Sequence, residues 1–218
     1  MAGLPKSTTH RLLTTLGQRG YTKVLPDGRY ALGSMSFRLA SGMPRIELEL
    51  EYVRAQIGET INLGILVGRE VQYVARALSN QALRWGIDIG HRVPCYCSAM
   101  GKAIMAFRPD ISYAPEEIVP ITERTLADPA MLREELRQVE EQGYSLDREE
   151  YMTGVVCIGV PVAGPLGRVI GALSASGPTV RFSLQDAARH ADLLKASATV
   201  IGNLLDPELP PGPADANE

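Results

Sequence analysis

Apolar residues along the 218-residue chain follow two different rhythms. Near the start, Leu12, Leu13 and Leu16 recur at helical spacing. Pro5 suits a first helical position, and Gly3 can supply a turn at positive φ. Together they predict a turn and a short helix over Gly3–Tyr21, with Gly20 as its stop. Val24–Leu25 and Arg29–Leu32 flank Pro26-Asp27-Gly28, which predicts a two-stranded hairpin with an Asp-Gly turn. A linker helix is expected from Gly33 to Gly42 and is broken at Pro44. Ile46, Leu48, Leu50, Val53 and Ile57 then recur in a charged helix that Gly58 ends.

Beyond Gly58 the rhythm becomes that of strands. Thr60–Val67 (TINLGILV) is an apolar strand, Gly68-Arg69-Glu70 a turn, and Val71–Leu78 the hairpin partner. Ala82–Trp85 reads as another short strand. An apolar helix runs from about Ser98 to Phe107, and Pro115–Ile118 is a helical turn. Asp128 is a good N-cap and Pro129 sits at N1 of a helix running through Glu141, with Gly143 beyond it. Tyr144–Leu146 is a strand, followed by an acidic loop, Asp147–Glu150. Val155–Val162 and Val169–Ser176 form a hairpin across Gly164-Pro165-Leu166-Gly167. Ser183 caps a last helix reaching about Leu205, and the Pro-rich tail 207–218 reads as disordered. Strands that come as hairpins, with helices gathered between them, predict an α+β body with an antiparallel sheet.

Charge divides the chain in a way its net value of −3 conceals. Residues 1–45 carry seven basic side chains (Lys6, Arg11, Arg19, Lys23, Arg29, Arg38, Arg45) against Asp27, a balance of +6; the remainder therefore carries −9. A basic head on an acidic body suits a DNA-binding module joined to a domain with another task. Lys6, Ser7, Thr8, Thr9 and Arg11 crowd the first turns of the first helix. These residue types contact phosphates and base edges when a recognition helix enters a major groove. Arg29 adds a cation to the hairpin. A helix followed at once by a basic hairpin has the order of a winged helix, although an ordinary surface helix and hairpin would share the pattern. The apolar fraction of 45% supports a core. No apolar run is long enough for a membrane span, no signal-peptide core is present, and three Cys do not form a secreted disulfide framework. The expected setting is cytoplasmic.

Chemistry concentrates in the body. Ser174 and Ser176 are two apart on one strand and share a face. Cys157 is on the partner strand, and Asp147 lies just before it. Ala99, Met100 and Gly101 sit where backbone N–H groups near a helix N-terminus can hold a carboxylate. Each also has an ordinary reading: a satisfied serine pair, a core cysteine, a solvated loop carboxylate. Trp85, the one tryptophan, could stack on an aromatic ligand or fill a core or subunit contact. Cys95-x-Cys97 with His91 and Cys157 is a poor match to zinc-ligand spacing. No Ser/His/Asp order, HExxH or phosphate loop appears, so no catalytic residue, cofactor or metal is expected.

GLPKSTTHRLL with GRYALG resembles the end of the winged-helix domain of the IclR family of bacterial transcriptional regulators. GETINLGIL, GHRVPCYCSAMGKAIMAF, EEQGYSLDREEYMTGVVCIGVPV and GALSASGPTVRFS resemble successive signatures of that family's effector-binding domain. The resemblance implies a partial winged helix-turn-helix over 1–32, linker and lead-in helices over 33–57, and a GAF-like effector-binding domain over 58–206. That domain would be a curved antiparallel sheet of about six strands, with helices on one face and a pocket between sheet and loops. Asp147, Cys157, Ser174 and Ser176 match the family's site for a small carboxylate effector in spacing and type, and Ala99–Met100 match in position. The run Pro94–Ser98 resembles members that respond to aromatic acids, but those carry Arg where this chain has Lys102. The implied partners are operator DNA, a small organic acid and further copies of the chain, as a homodimer or homotetramer. Effector binding would change the packing of the body on the linker and so the spacing of two recognition helices. The family also implies two helices before Gly3. Residues 1–32 are therefore expected to be poorly ordered or packed on a neighbour, and DNA binding weak or absent in this polypeptide. A GAF-like, cysteine-dependent methionine sulfoxide reductase is the enzymatic alternative.

Overall fold

The computed structural model describes residues 5–19, 21–25, 28–32, 34–164 and 167–205. The chain divides into two compact units, Met1–Arg45 and Ile46–Glu218. Gly3, Gly20, Pro26, Asp27 and the tail lie outside the described residues.

The first unit holds helix α1 (Lys6–Gln18) and an antiparallel hairpin of β1 (Thr22–Val24) and β2 (Tyr30–Leu32). Pro5 stands one position before the helix, as its cap, rather than within it. The Thr22 hydroxyl donates to the Leu13 carbonyl at 2.9 Å, and the Tyr30 hydroxyl meets His10 Nδ1 at 3.0 Å. These bonds tie the helix to the hairpin. No residue of α1 is buried, and Leu12 and Leu16 are 47% and 41% exposed.

Helix α2 (Ser34–Ile57) runs without a break through Pro44, which corrects the expectation of two helices. A proline removes one i→i−4 bond and crowds the preceding turn, a local cost of about 3 kcal/mol that ends or kinks a helix only where flanking turns are weak. Here the following turns are anchored, because Ile46, Leu50 and Val53 are buried as a helical stripe.

The second unit is a curved antiparallel sheet in the order β5-β4-β3-β8-β7-β6. Its strands are β3 (Thr60–Val67), β4 (Glu70–Ala77), β5 (Arg92–Pro94), β6 (Ser145–Arg148), β7 (Val155–Ala163) and β8 (Val169–Pro178). The hairpin runs are therefore strands as their patterning predicts. Ala82–Trp85 is not a strand. Its backbone is held by side chains instead of a ladder: the Thr60 hydroxyl donates to Trp85 O at 2.7 Å, and the Arg181 guanidinium to Leu83 O at 2.9 Å.

Helices α3 (Ala99–Ala106), α4 (Pro129–Gln142) and α5 (Ala187–Leu204) complete the unit. A Cβ on Gly159 would fall 2.6 Å from the Ala99 backbone, so only glycine lets α3 begin directly against β7. A Cβ on Gly202 of α5 would meet Ala163 O and approach Val162. Gly159 and Val162 are three apart and face opposite sides of the strand. Helices thus cover both faces, not one, and the double covering accounts for the burial of Val155, Val156, Ile158, Val160 and Val162 alike. The C-terminal half of α2 is tied to α5 by Ser197 Oγ–Glu49 Oε1 at 2.6 Å. Helix α4 has its Asp128 cap, with Oδ1 accepting from Ala130 N at 2.7 Å, and Gly143 in the left-handed region at φ 75°. Ser183 caps a 3-10 turn, Leu184–Asp186, and α5 starts one residue later.

Candidate effector site

Antiparallel register builds two polar rows into an apolar sheet. Asp147 of β6 pairs with Cys157 of β7, which pairs with Ser176 of β8, which pairs with Thr60 of β3. One step along, Ser145, Gly159, Ser174 and Asn62 are aligned in the same way. Residues two apart on a strand share a face, so both rows point to the α3 side. Asp147, expected at the junction of the Tyr144 strand and an acidic loop, lies within β6, and it is only 3% exposed.

A cavity lies where these rows meet the start of α3. Asp147, Cys157 and Ser174 line it from the sheet, and Ser98, Ala99 and Met100 from the helix N-terminus. Its walls are Tyr73, Trp85, Ile87, Tyr151, Met152 and Val155. Its volume is about 10 Å³, room for a single water-sized group. Trp85 thus reaches the cavity, though from an irregular segment. Two expected residues are not in its wall. Ser176 accepts from Asn62 Nδ2 at 3.2 Å and hydrogen-bonds the Cys157 thiol. Gly101 gives its N–H to the capping Ser98 Oγ at 3.1 Å, and a Cβ there would strike the Cys95 backbone. Its role is close packing.

Burial raises the Asp147 carboxyl to about 7, with the Glu150 charge adding to the rise. The backbone N–H groups of Glu150 and Tyr151 hydrogen-bond the carboxylate and pull the other way. Burial likewise pushes the Cys157 thiol and the Tyr73 hydroxyl well above their ordinary values.

The largest fully buried side chain is one the pattern did not single out as part of a site, Lys102 of α3. It turns away from the cavity, to Glu150 Oε1 at 2.5 Å and Glu135 Oε1 at 3.3 Å, and Arg148 joins Glu135 at 3.0 Å. Among the described buried side chains, Glu150 Oε2 and Asn62 Oδ1 have no hydrogen-bond partner. Lys102 and Asn62 left a faint trace in the sequence: a lysine inside AMGKAIMAF and an amide inside TINLGILV. Tyr73 and Tyr151 left none. The segment after β6 contributes Tyr151 and Met152 to the cavity wall. Glu149 adopts φ 68°, its carboxylate accepts from Gly154 N at 2.7 Å and pairs with Arg124, and Tyr151 OH meets His91 Nε2 at 3.1 Å.

Family models place these observations. The "Bacterial transcriptional regulator IclR C-terminal" model matches residues 44–203, and the "IclR helix-turn-helix domain" model matches residues 1–26. The chain belongs to the IclR family of bacterial transcriptional regulators. It is similar to the HTH-type transcriptional regulator BhcR of Paracoccus denitrificans, at 35% identity over 81% of this chain and 68% of that protein. It is similar to the HTH-type transcriptional regulator KdgR of Escherichia coli, at 34% identity over 91% and 80%. Among solved structures, the Thermotoga maritima IclR superposes with a TM-score of 0.67, at 26% identity over 93% and 86%.

As an IclR-family regulator the chain is not an enzyme. The cysteines agree with this. All three are free thiols, and burial raises Cys95 to about 12 and Cys157 and Cys97 upward too, which disfavours the thiolate a sulfoxide reductase needs. His91 is exposed and bonded to Tyr151, away from Cys95 and Cys97 in the core. Among the described residues no helix is long and apolar enough to cross a membrane.

On α1, Lys6, Ser7 and Arg11 are exposed, whereas Thr8 and Thr9 are half-buried. The Thr9 hydroxyl is engaged with Pro5 O at 3.1 Å. Arg29 is exposed beside β2.

Proposed function

We propose that this regulator senses a small organic carboxylate, aromatic acids being the favoured class, in the Asp147–Cys157–Ser174 cavity and changes its operator affinity in response. The observation that carries the reading is the pair of buried polar rows, which bring a carboxyl, a thiol and hydroxyls against the N-terminus of α3 inside an otherwise apolar sheet. Tyr73, Trp85 and Tyr151 supply aromatic walls on which a ring can pack edge-to-face or offset. Residues 1–32 form part of a winged-helix reader, with Lys6, Ser7, Thr8, Thr9, Arg11 and Arg29 against DNA, and operator binding by this polypeptide is weak. Residues 33–57 link it to the sensing body, in a cytoplasmic homodimer or homotetramer.

The mechanism is linkage. A cavity of about 10 Å³ must widen to admit an acid, so side chains of its wall shift on binding. The same sheet packs through β7 on α5, which holds α2 at Glu49. Only an effector with different affinity for two arrangements of α2 can shift DNA binding. The test is a thermal-shift screen of aliphatic, hydroxy, oxo and aromatic acids, followed by titration of the hits against labelled operator DNA. At a hundredfold excess over Kd a true effector adds about 2.7 kcal/mol of stability. If no acid changes the melting temperature or the DNA affinity, the sensing half of this reading is wrong.

A further inference from the structure

The cavity has a feature that a carboxylate ligand must overcome. No Lys, Arg or His is among its lining residues, and its one ionisable acid is Asp147. The nearby ammonium, Lys102 Nζ, is taken by Glu150 and Glu135. A carboxylate entering beside an ionised Asp147 would set two like charges together in a low-dielectric space with no counter-ion, an arrangement in which one acid normally holds its proton.

We infer that the effector carboxylate binds as a hydrogen-bonded acid–carboxylate pair with protonated Asp147, so that binding above neutrality takes up one proton from solvent. This rests on the carboxylate reading above. The proton comes from water or buffer, adds to the Asp147 carboxylate and is donated in a hydrogen bond to the ligand's carboxylate; no covalent bond to the ligand forms. Asp147 Oδ1 accepts from Glu150 N at 2.6 Å, the Tyr151 N–H bonds the same carboxylate, and the Cys157 thiol is hydrogen-bonded to it, so the acid proton shares the carboxyl with these donors. Cys157 on β7 and Tyr73 on β4 are neutral, because burial raises both. Cys97, before α3, is raised and neutral as well. Tyr151 is raised, and Glu150 repels the ionised form of Asp147. Lys102 favours that ionised form, but its contacts are with the two glutamates. Arg148, on the same strand, turns to Glu135. His91 reaches the group only through Tyr151. The free acid sits at about 7, so it is available in both forms near neutral pH.

The experiment is calorimetric titration of the whole chain with acetate, lactate, pyruvate, benzoate and 4-hydroxybenzoate. At about pH 8 it is run in two buffers of different ionisation enthalpy, and affinity is then followed from about pH 7.5 to 9. The expected result is uptake of close to one proton per bound acid, and an affinity that falls about twentyfold across that range. Asp147→Asn, whose amide donates as the protonated acid would, should bind with an affinity independent of pH. An acid that binds with no proton uptake and a flat pH profile overturns the inference and leaves the carboxylate reading standing. So does an Asp147→Asn chain that keeps the wild-type pH slope. Failure of every acid to bind, also at about pH 6, overturns the reading and the inference together. If the variant does not fold, proton uptake by the wild-type chain decides alone.

Discussion

Replacing Lys102 with Met removes the only cation that, among the described residues, pairs with the Glu150 carboxylate in the buried network under the site. Lys102 is 0% exposed and Glu150 2% exposed. Glu150 Oε1 receives Lys102 Nζ at 2.5 Å and a longer bond from Arg148 N at 3.3 Å, while Oε2 is unpartnered. Met fills a volume close to that of the lysine stem, so the loss is electrostatic and not a cavity. Breaking a buried pair by removing one partner costs about 3–5 kcal/mol, because an uncompensated charge stays buried. At about 2–4 °C per kcal/mol for a body of this size, the melting temperature should drop by roughly 6–20 °C. The assay is urea and thermal unfolding of wild type, Lys102→Met and Lys102→Met/Glu150→Gln at neutral pH. The double variant should be more stable than Lys102→Met alone, since its buried carboxylate is gone. A single-variant cost below about 1 kcal/mol, or a double variant no better than the single, would refute the reasoning.

Three further outcomes are expected. The Asp147 carboxyl is raised in the folded state, so the native chain holds that proton longer than the unfolded one. The destabilisation is nil below about pH 4, grows as pH rises and is complete above about 7. Urea unfolding should therefore show Asp147→Asn gaining on wild type between about pH 4 and 8, by on the order of 3 kcal/mol. Gly159→Ala places a Cβ 2.6 Å from the Ala99 backbone and should cost about 1–3 kcal/mol in chemical unfolding, with loss of effector binding as α3 is pushed off β7. Arg11→Ala should further weaken the already weak operator binding of this polypeptide, evenly across sequences, and lower the slope of log K against log salt by about one, as read by fluorescence anisotropy at low salt; an unchanged slope places Arg11 off the phosphates.

The strands β3, β4, β7 and β8 are legible in the amino-acid pattern, because apolar runs bounded by Gly and Pro turns are local signals. So is α4, whose Asp128 cap, Pro129 and left-handed Gly143 act within a few residues of the helix they define. The family signatures name most of the residues that meet in the cavity. Misreadings arise where distant parts of the chain decide. Pro44 does not end a helix that Ile46, Leu50 and Val53 anchor in the body. Ala82–Trp85 looks like a strand, yet its carbonyls are taken by Thr60 and Arg181. Asp147 reads as a loop acid until register sets it beside Cys157.

The sequence by itself determined the order of elements, the basic head on the acidic body and the identity of the polar residues on β6, β7 and β8, since composition and period act at short range. Only the tertiary structure decided what surrounds them. Lys102 and Glu150 are 48 residues apart, and their contact at 2.5 Å exists because α3 lies against β6 and β7. That contact removes the cation from the cavity and leaves Asp147 as its sole acid, because the strength of a charge depends on which groups the fold places around it.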